Sequence, residues 1–181
     1  MRRFFISSLI TAALFGMLTF NSAQAAASAE LKKLIGFVGS WEGEETIYST
    51  PYNDAGQSNA VRVFRWTLGN SFIKVGVSIA SSLTSLNDYQ AEGYITYDGA
   101  AKAYKLYLFD AKGSSLTGEG KFSANSSLMF TAREVDLQGN TRKSTITFTK
   151  TAAKQLQMKI DFIESDGKSI PFIEGNYSLK S

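Results

Sequence analysis

Charged side chains on two neighbouring strands are the part of this sequence best suited to binding chemistry. Glutamates begin the first predicted strand, and Arg62 and Arg65 lie on the second. Arg65 shares one side of its strand with Val61 and Val63, so an inward Arg65 would bind the carboxylate of a ligand in an apolar interior. Phe64 and its alternating neighbours make the opposite side equally apolar. A solvated or glutamate-paired Arg65 is therefore the competing interpretation.

Two tyrosines also carry groups that suit ligand binding. Tyr94 and Tyr97 lie in the segment Gly-Tyr-Ile-Thr-Tyr-Asp, which ends at Asp98. Inside a pocket their hydroxyls would donate hydrogen bonds to a ligand, whereas at its rim they would only pack. Asp98 begins an Asp-Gly hairpin turn, which explains this carboxylate without catalysis. The sequence offers hydrogen-bond donors but no carboxylate pair arranged for acid–base chemistry.

The residue types that are absent exclude several classes of protein. The 181 residues include no His and no Cys. This excludes a Ser–His–Asp triad, metal sites built from His or Cys, His-ligated haem and disulfides, and we expect no cofactor. Aromatic residues make up 13% of the chain, which argues against intrinsic disorder.

The first 25 residues have the pattern of a secretory signal peptide. Two arginines precede an apolar run from Phe4 to Phe20, and Ala23-Gln24-Ala25 has the small-x-small spacing that signal peptidase recognises. Because Ser and Thr interrupt the run, we expect cleavage after Ala25 rather than a membrane anchor, and an exported protein, periplasmic or extracellular. Cleavage reduces 19 basic residues to 17 against 16 acidic ones, which argues against a nucleic-acid partner.

After a short helix, the apolar pattern changes to alternation and keeps it to the end of the chain. Leu31, Leu34, Ile35 and Val38 have the spacing of one helix face. Ten runs rich in alternating, β-branched and aromatic residues follow, at 40–49, 60–68, 71–80, 89–97, 102–109, 115–123, 127–134, 142–150, 155–164 and 170–179.

Tight turns between these runs leave no room for crossover helices. Residues 26–181 are therefore predicted to form one domain, an all-β antiparallel up-and-down β-barrel of about 8–10 strands with the helix capping one end. The connections 50–59 and 81–88 exceed hairpin length and would form a mouth or lid. An integral outer-membrane barrel is the alternative architecture, although the helix would be unusual there.

The segment around Trp41 carries a family resemblance. Gly39-Ser40-Trp41 resembles the Gly-x-Trp signature of lipocalins, and the stretch from Leu34 to Glu44 resembles the opening of an uncharacterised family of secreted bacterial lipocalin-like (calycin) barrels. Ordered matches continue at 65–72, 93–98, 166–168 and 174–177. Nitrobindin, a ten-stranded haem-binding barrel, is a more distant likeness.

This resemblance implies a calycin-type barrel with a cavity for a small apolar ligand. It also implies a structural Trp41 covered by a basic side chain, for which Lys180 is the first choice and Arg65 the second. Nitrobindin-like barrels hold haem iron through His, so their haem site is not expected in a chain without His.

The leading hypothesis is an exported barrel that holds a small apolar or amphipathic molecule without catalysis. Residues proposed to line the cavity are Arg65, Ile73, Val75, Val77, Tyr94, Leu106 and Phe130, with Gly39, Trp41 and Lys180 as the structural signature. One alternative is a barrel enzyme, such as an isomerase or cyclase, that acts on a hydrophobic substrate. Another is a barrel packed with side chains, without a cavity above about 300 Å³.

Cleavage after Ala25 is directly testable. We expect intact-mass measurement of the exported protein to give a chain that begins at Ala26, because signal peptidase requires small side chains before the cut. Ala25→Tyr should leave the uncleaved precursor, while Ala27→Tyr should still be processed. An exported wild-type protein that retains residues 1–25 would contradict the prediction.

Overall fold

The computed structural model describes residues 29–81, 83, 86–123 and 126–180, so the expected signal peptide lies outside the described residues. A 3₁₀-helix spans Lys33–Phe37 and ten strands follow it. Their bounds are β1 Gly39–Ile47, β2 Gly56–Thr67, β3 Phe72–Ser81, β4 Tyr89–Asp98, β5 Ala103–Asp110, β6 Ser115–Phe122, β7 Ser127–Val135, β8 Thr141–Ala152, β9 Gln155–Ile163 and β10 Ser169–Leu179.

The strands close into a single antiparallel up-and-down barrel, as the alternating sequence predicts. Each strand pairs with its sequence neighbours, and β1 also pairs with β10 from Trp41↔Leu179 to Ile47↔Ile173. Closure removes both free sheet edges. The largest difference from the predicted bounds is in β2, which was predicted to begin at residue 60 and begins at Gly56. Gly56 pairs with Ile47 of β1, and Ser58 is buried on the inner face of this extension. Among the described residues, no helix is long and apolar enough to span a membrane.

The helix before β1 closes one end of the barrel. Leu31, Leu34 and Phe37 are buried at intervals of three, the period of a 3₁₀-helix. Ile35 was predicted to share this face, but the tighter winding leaves it 68% exposed. The Tyr104 hydroxyl donates to the backbone oxygen of Glu30 at 2.9 Å, which fixes the start of this segment to β5.

Trp41 forms the floor above the helix, as its signature position predicts. Its side chain is fully buried, and its indole Nε1 donates to the Phe37 carbonyl at 2.7 Å. The cation over its ring is Lys150, whose Nζ lies 4.4 Å from the ring centroid. The prediction of Lys180 is wrong, because Leu179 takes the inward position and Lys180 alternates outward to pair with Glu42.

Gly39 is required by its backbone and by its neighbour. Its φ is +146°, which side chains rarely adopt, and a Cβ there would lie 2.3 Å from Leu179 Cδ1. Gly43 is required by a close approach between β1 and β10. A Cβ on Gly43 would lie 2.0 Å from the backbone oxygen of Asn176, at the seam where the first and last strands meet.

Gly43→Ala should destabilise the barrel by about 1–3 kcal/mol, because the added methyl group meets backbone that cannot move aside cheaply. Gly76→Ala is the matched control, since its Cβ would meet only Val63 at 3.8 Å. We expect that variant to be neutral or stabilised by less than about 1 kcal/mol. Urea unfolding compares the two, and equal free energies of unfolding would refute the assigned role of Gly43.

Candidate ligand cavity

A cavity of about 310 Å³ occupies the half of the barrel away from the helix. The alternation of β2 to β5 and β8 to β10 turns apolar side chains into it. Its apolar lining includes Phe64, Val75, Val77, Ile79, Ala91, Ile95, Leu106, Leu108, Leu116, Ile146, Phe148, Met158, Ile160 and Ile173. A second void of about 10 Å³ lies between Phe64 and Phe148 on one side and Leu34 and Phe37 of the helix on the other.

One side of the barrel interior carries a buried ion pair between Glu45 and Arg62. Arg62 Nη2 donates to Glu45 Oε1 at 2.5 Å, and the two side chains are 0% and 7% exposed. Arg62 Nε donates to the Tyr177 hydroxyl at 2.8 Å, and that hydroxyl donates to Glu45 Oε1. Ser58 Oγ donates to Glu45 Oε2 at 2.9 Å. Both carboxylate oxygens are therefore hydrogen-bonded.

These four residues, the Glu45–Arg62 network, come from three adjacent strands. Glu45 lies on β1 between Ser58 of β2 and Gly175 of β10 in register. Gly175 makes the arrangement possible, because a Cβ there would lie 2.6 Å from the Tyr177 hydroxyl oxygen. The missing side chain lets the phenol lie along its own strand and reach Glu45 and Arg62.

The charges in the network stabilise one another. Burial by itself would raise the pKa of Glu45, but the Arg62 charge and the hydrogen bonds from Tyr177, Arg62 and Ser58 outweigh burial and hold this pKa below its ordinary value. Burial raises the pKa of Tyr177, and the neighbouring Glu45 carboxylate adds to the effect although Arg62 opposes it. The network therefore holds a carboxylate, a guanidinium and a neutral phenol.

The structure brings only some of the predicted cavity residues together. Val75, Val77 and Leu106 line the cavity. Ile73 lies lower, against the small void, and Phe130 is fully buried with its ring over Gly120.

Arg65 and Tyr94 are both exposed on the outer face, so their predicted inward orientation is wrong. On β4 the inward positions include Gly93, whose missing side chain hides the alternation from sequence reading. On β2 the inward set includes Ser58, Ala60, Arg62 and Phe64, so the inward arginine is Arg62. The register of β1 and β2 identifies Arg62 as the inward arginine, because Arg62 pairs directly with the buried Trp41.

The mouth of the cavity is polar and partly aromatic. Arg142 lies over the rings of Tyr52 and Phe162, at 4.6 and 4.7 Å from their centroids. Phe162 stacks on Phe172 at 4.2 Å. Tyr52 comes from the long connection between β1 and β2, and Leu86 from that between β3 and β4, so both connections contribute to the mouth as predicted.

No group of three or more metal-binding side chains lies together among the described residues. The cavity lining suits an organic molecule with an apolar body. The polar groups that face it include Arg62, the hydroxyls of Tyr89 and Ser144, and the charged residues of the mouth.

Residues 26–178 match the family described as "Protein of unknown function (DUF1579)". The chain belongs to this family. The match to DUF1579 begins before the helix and ends one residue before the end of β10, so it covers nearly the whole barrel. Among curated proteins, none matches the sequence.

One solved structure supports the fold of this DUF1579 protein. The crystal structure of Rv2717c from M. tuberculosis aligns with a TM-score of 0.62 at 11% identity, over 83% of this chain and 97% of that one. A de novo designed fluorescence-activating β-barrel aligns at 12% identity with a TM-score of 0.40, over 80% of this chain and 94% of the design. At these identities only the fold is shown. It fits a calycin-like barrel, while the specific likeness to lipocalins and nitrobindin stays a prediction.

Removing Arg62 should strongly destabilise the DUF1579 barrel. Arg62→Met leaves Glu45 buried without its counter-charge, which costs about 3–5 kcal/mol, whereas the exposed pair Lys105–Glu119 provides a control in which Lys105→Met costs less than about 1 kcal/mol. Adding Glu45→Gln to Arg62→Met should recover part of the loss. Additive effects in the double variant would contradict the coupling.

The same variants have a defined pH dependence. In the wild type, the lowered pKa of Glu45 contributes stability above its ordinary value of 4.5, and this is lost as the pH falls through the folded-state pKa. In Arg62→Met, burial without the counter-charge raises the pKa of Glu45. Acidification then protonates Glu45 and removes the free-energy cost of a buried, unpaired carboxylate. The difference in unfolding free energy between the two proteins should therefore narrow from pH 7 towards pH 4.

Proposed function

We propose that this protein is an exported carrier or receptor that binds a small apolar or amphipathic molecule inside its barrel. The observation that carries the proposal is the cavity of about 310 Å³, which apolar side chains enclose and which opens between two long connections. Ligand sites in proteins are concave, mostly apolar and contain a few placed polar groups, and this cavity has that composition.

The volume bounds the size of the ligand. Ligand cavities in proteins occupy about 300–1,000 Å³, so this cavity suits a molecule at the small end of that range. An apolar space of this size is costly to leave empty, because its lining loses van der Waals contacts and holds water poorly. A ligand that fills it restores those contacts, and its volume argues against the fully packed barrel.

Binding is favoured over catalysis by where the reactive groups lie. Glu45 and Tyr177 are buried and bonded to each other and to Arg62, and neither lines the cavity. Of the four residues in the Glu45–Arg62 network, only Arg62 faces the cavity. A bound molecule would therefore meet an internally satisfied network, which orients a ligand more readily than it transfers protons.

The N-terminal segment supports an exported location for this binding. Residues 1–25 carry the basic, apolar and small-residue pattern of a signal peptide. The family match begins at residue 26, immediately after the proposed cleavage site. We therefore assign the ligand to the periplasm or the cell exterior.

Filling the cavity should abolish binding without loss of the fold. Val77 lines the cavity on β3, so Val77→Phe should reduce the affinity for the neutral fluorophore N-phenylnaphthylamine by at least about tenfold. Val63→Phe places the same ring on the outer face of β2 and should bind like the wild type. Thermal unfolding checks that both variants fold. Equal binding by the wild type and Val77→Phe, or no saturable binding at all, would contradict the proposal.

A further inference from the structure

The charges around the cavity cancel. Arg62, Lys112 and Arg142 line it as cations, and Asp110 and Glu134 line it as carboxylates. Glu45 supplies the remaining negative charge directly behind Arg62. Counted together, the charged residues that line the cavity and Glu45 behind Arg62 comprise three cations and three carboxylates, so neither sign of charge is in excess there.

Arg62 is already committed to partners within the protein. Its Nε and Nη2 atoms donate to Tyr177 and Glu45, so a ligand carboxylate would have to compete with Glu45 for the guanidinium. Displacing Glu45 would leave that buried carboxylate without its counter-charge, at a large cost. The buried arginine therefore does not act as a receptor for an anionic head group.

The mouth also disfavours a further negative charge. Burial raises the pKa of Glu134, and the nearby carboxylates of Asp110 and Asp136 raise it further although Arg142 opposes them. The Arg142 guanidinium lies 3.9 Å from Glu134 and covers two aromatic rings, so it is engaged as well. A ligand carboxylate placed here would meet the same repulsion.

Tyr89 and Ser144 are two of the residues that line the cavity with a hydroxyl group. Tyr89 begins β4, packs against the core and lines the cavity near Asp110, Glu134 and Arg62. Ser144 lines it from β8 and is only 5% exposed. Neither hydroxyl is hydrogen-bonded to any other residue in the described part of the chain. Each hydroxyl is therefore available to a ligand oxygen.

We propose that the cavity selects uncharged ligands that carry a hydroxyl or carbonyl oxygen, which the hydroxyls of Tyr89 and Ser144 bind. This inference rests on the proposed function and specifies the chemical class of its ligand. Apolar lining holds the body of the molecule, while Tyr89 and Ser144 fix its polar end. With neither sign of charge in excess, a carboxylate or an amine of the same size gains no compensating charge and loses its hydration on entry.

Competition against bound N-phenylnaphthylamine tests the inference on the full chain, expressed with its own N-terminal segment. The competitors are n-octane, n-octanol, octanoate and octylamine at pH 7. We expect n-octanol to bind at least about tenfold more tightly than octanoate or octylamine. Tyr89→Phe and Ser144→Ala should each lower the affinity for n-octanol about 3- to 10-fold, because each removes one hydrogen bond. The affinity for n-octane should stay unchanged, because both variants keep the apolar lining.

Tyr107→Phe and Ser78→Ala are matched controls, since both side chains lie on the outer face, and they should change no affinity. Octanoate binding as tightly as n-octanol would overturn the inference, as would equal effects of Tyr89→Phe and Ser144→Ala on n-octanol and n-octane. If the fluorophore and n-octane both fail to bind, the proposed function fails as well. Binding of n-octane without discrimination by the variants leaves the proposed function standing and refutes the ligand class alone.

Discussion

The ion pair between Glu45 and Arg62 is the interaction on which the rest of this barrel depends. It lies at the seam where the first strand meets the last, and Tyr177 on β10 ties the pair across that seam. A buried pair of charges is tolerable only when its hydrogen bonds are satisfied, which requires β2, β1 and β10 to keep one register. Gly43 and Gly175 provide the space for this, one for backbone and one for the Tyr177 side chain.

The polar seam gives the interior a charged group on one side, at Arg62. Most of the remaining lining consists of Val, Ile, Leu, Phe and Met side chains that cannot hydrogen-bond to it. The helix and Trp41 close one end, and residues of both long connections line the cavity towards the other end. A site with an apolar body and a fixed polar side suits an oriented small molecule better than a reaction centre.

Much of the fold could be predicted from the sequence, because alternation and tight turns act locally. The strand bounds, the capping helix and the place of Trp41 all depend on such local patterns. Arg62 could not be chosen over Arg65, because apolar residues occupy both sides of β2. The partners of Arg62 are 17 and 115 residues away in sequence, at Glu45 and Tyr177, so only the closed register reveals them. Lys150 reaches Trp41 by the same kind of distant pairing.

Methyl NMR during titration with n-octanol tests most directly whether a ligand occupies the interior of the barrel. Occupation predicts saturable chemical-shift changes for the methyl groups of Val75, Ile146 and Met158, which line the cavity. The chemical shifts of the exposed methyl groups of Ile35 and Leu137 should stay unchanged. Changes confined to Ile35 and Leu137, or none at saturating n-octanol, would show that the ligand does not enter the barrel.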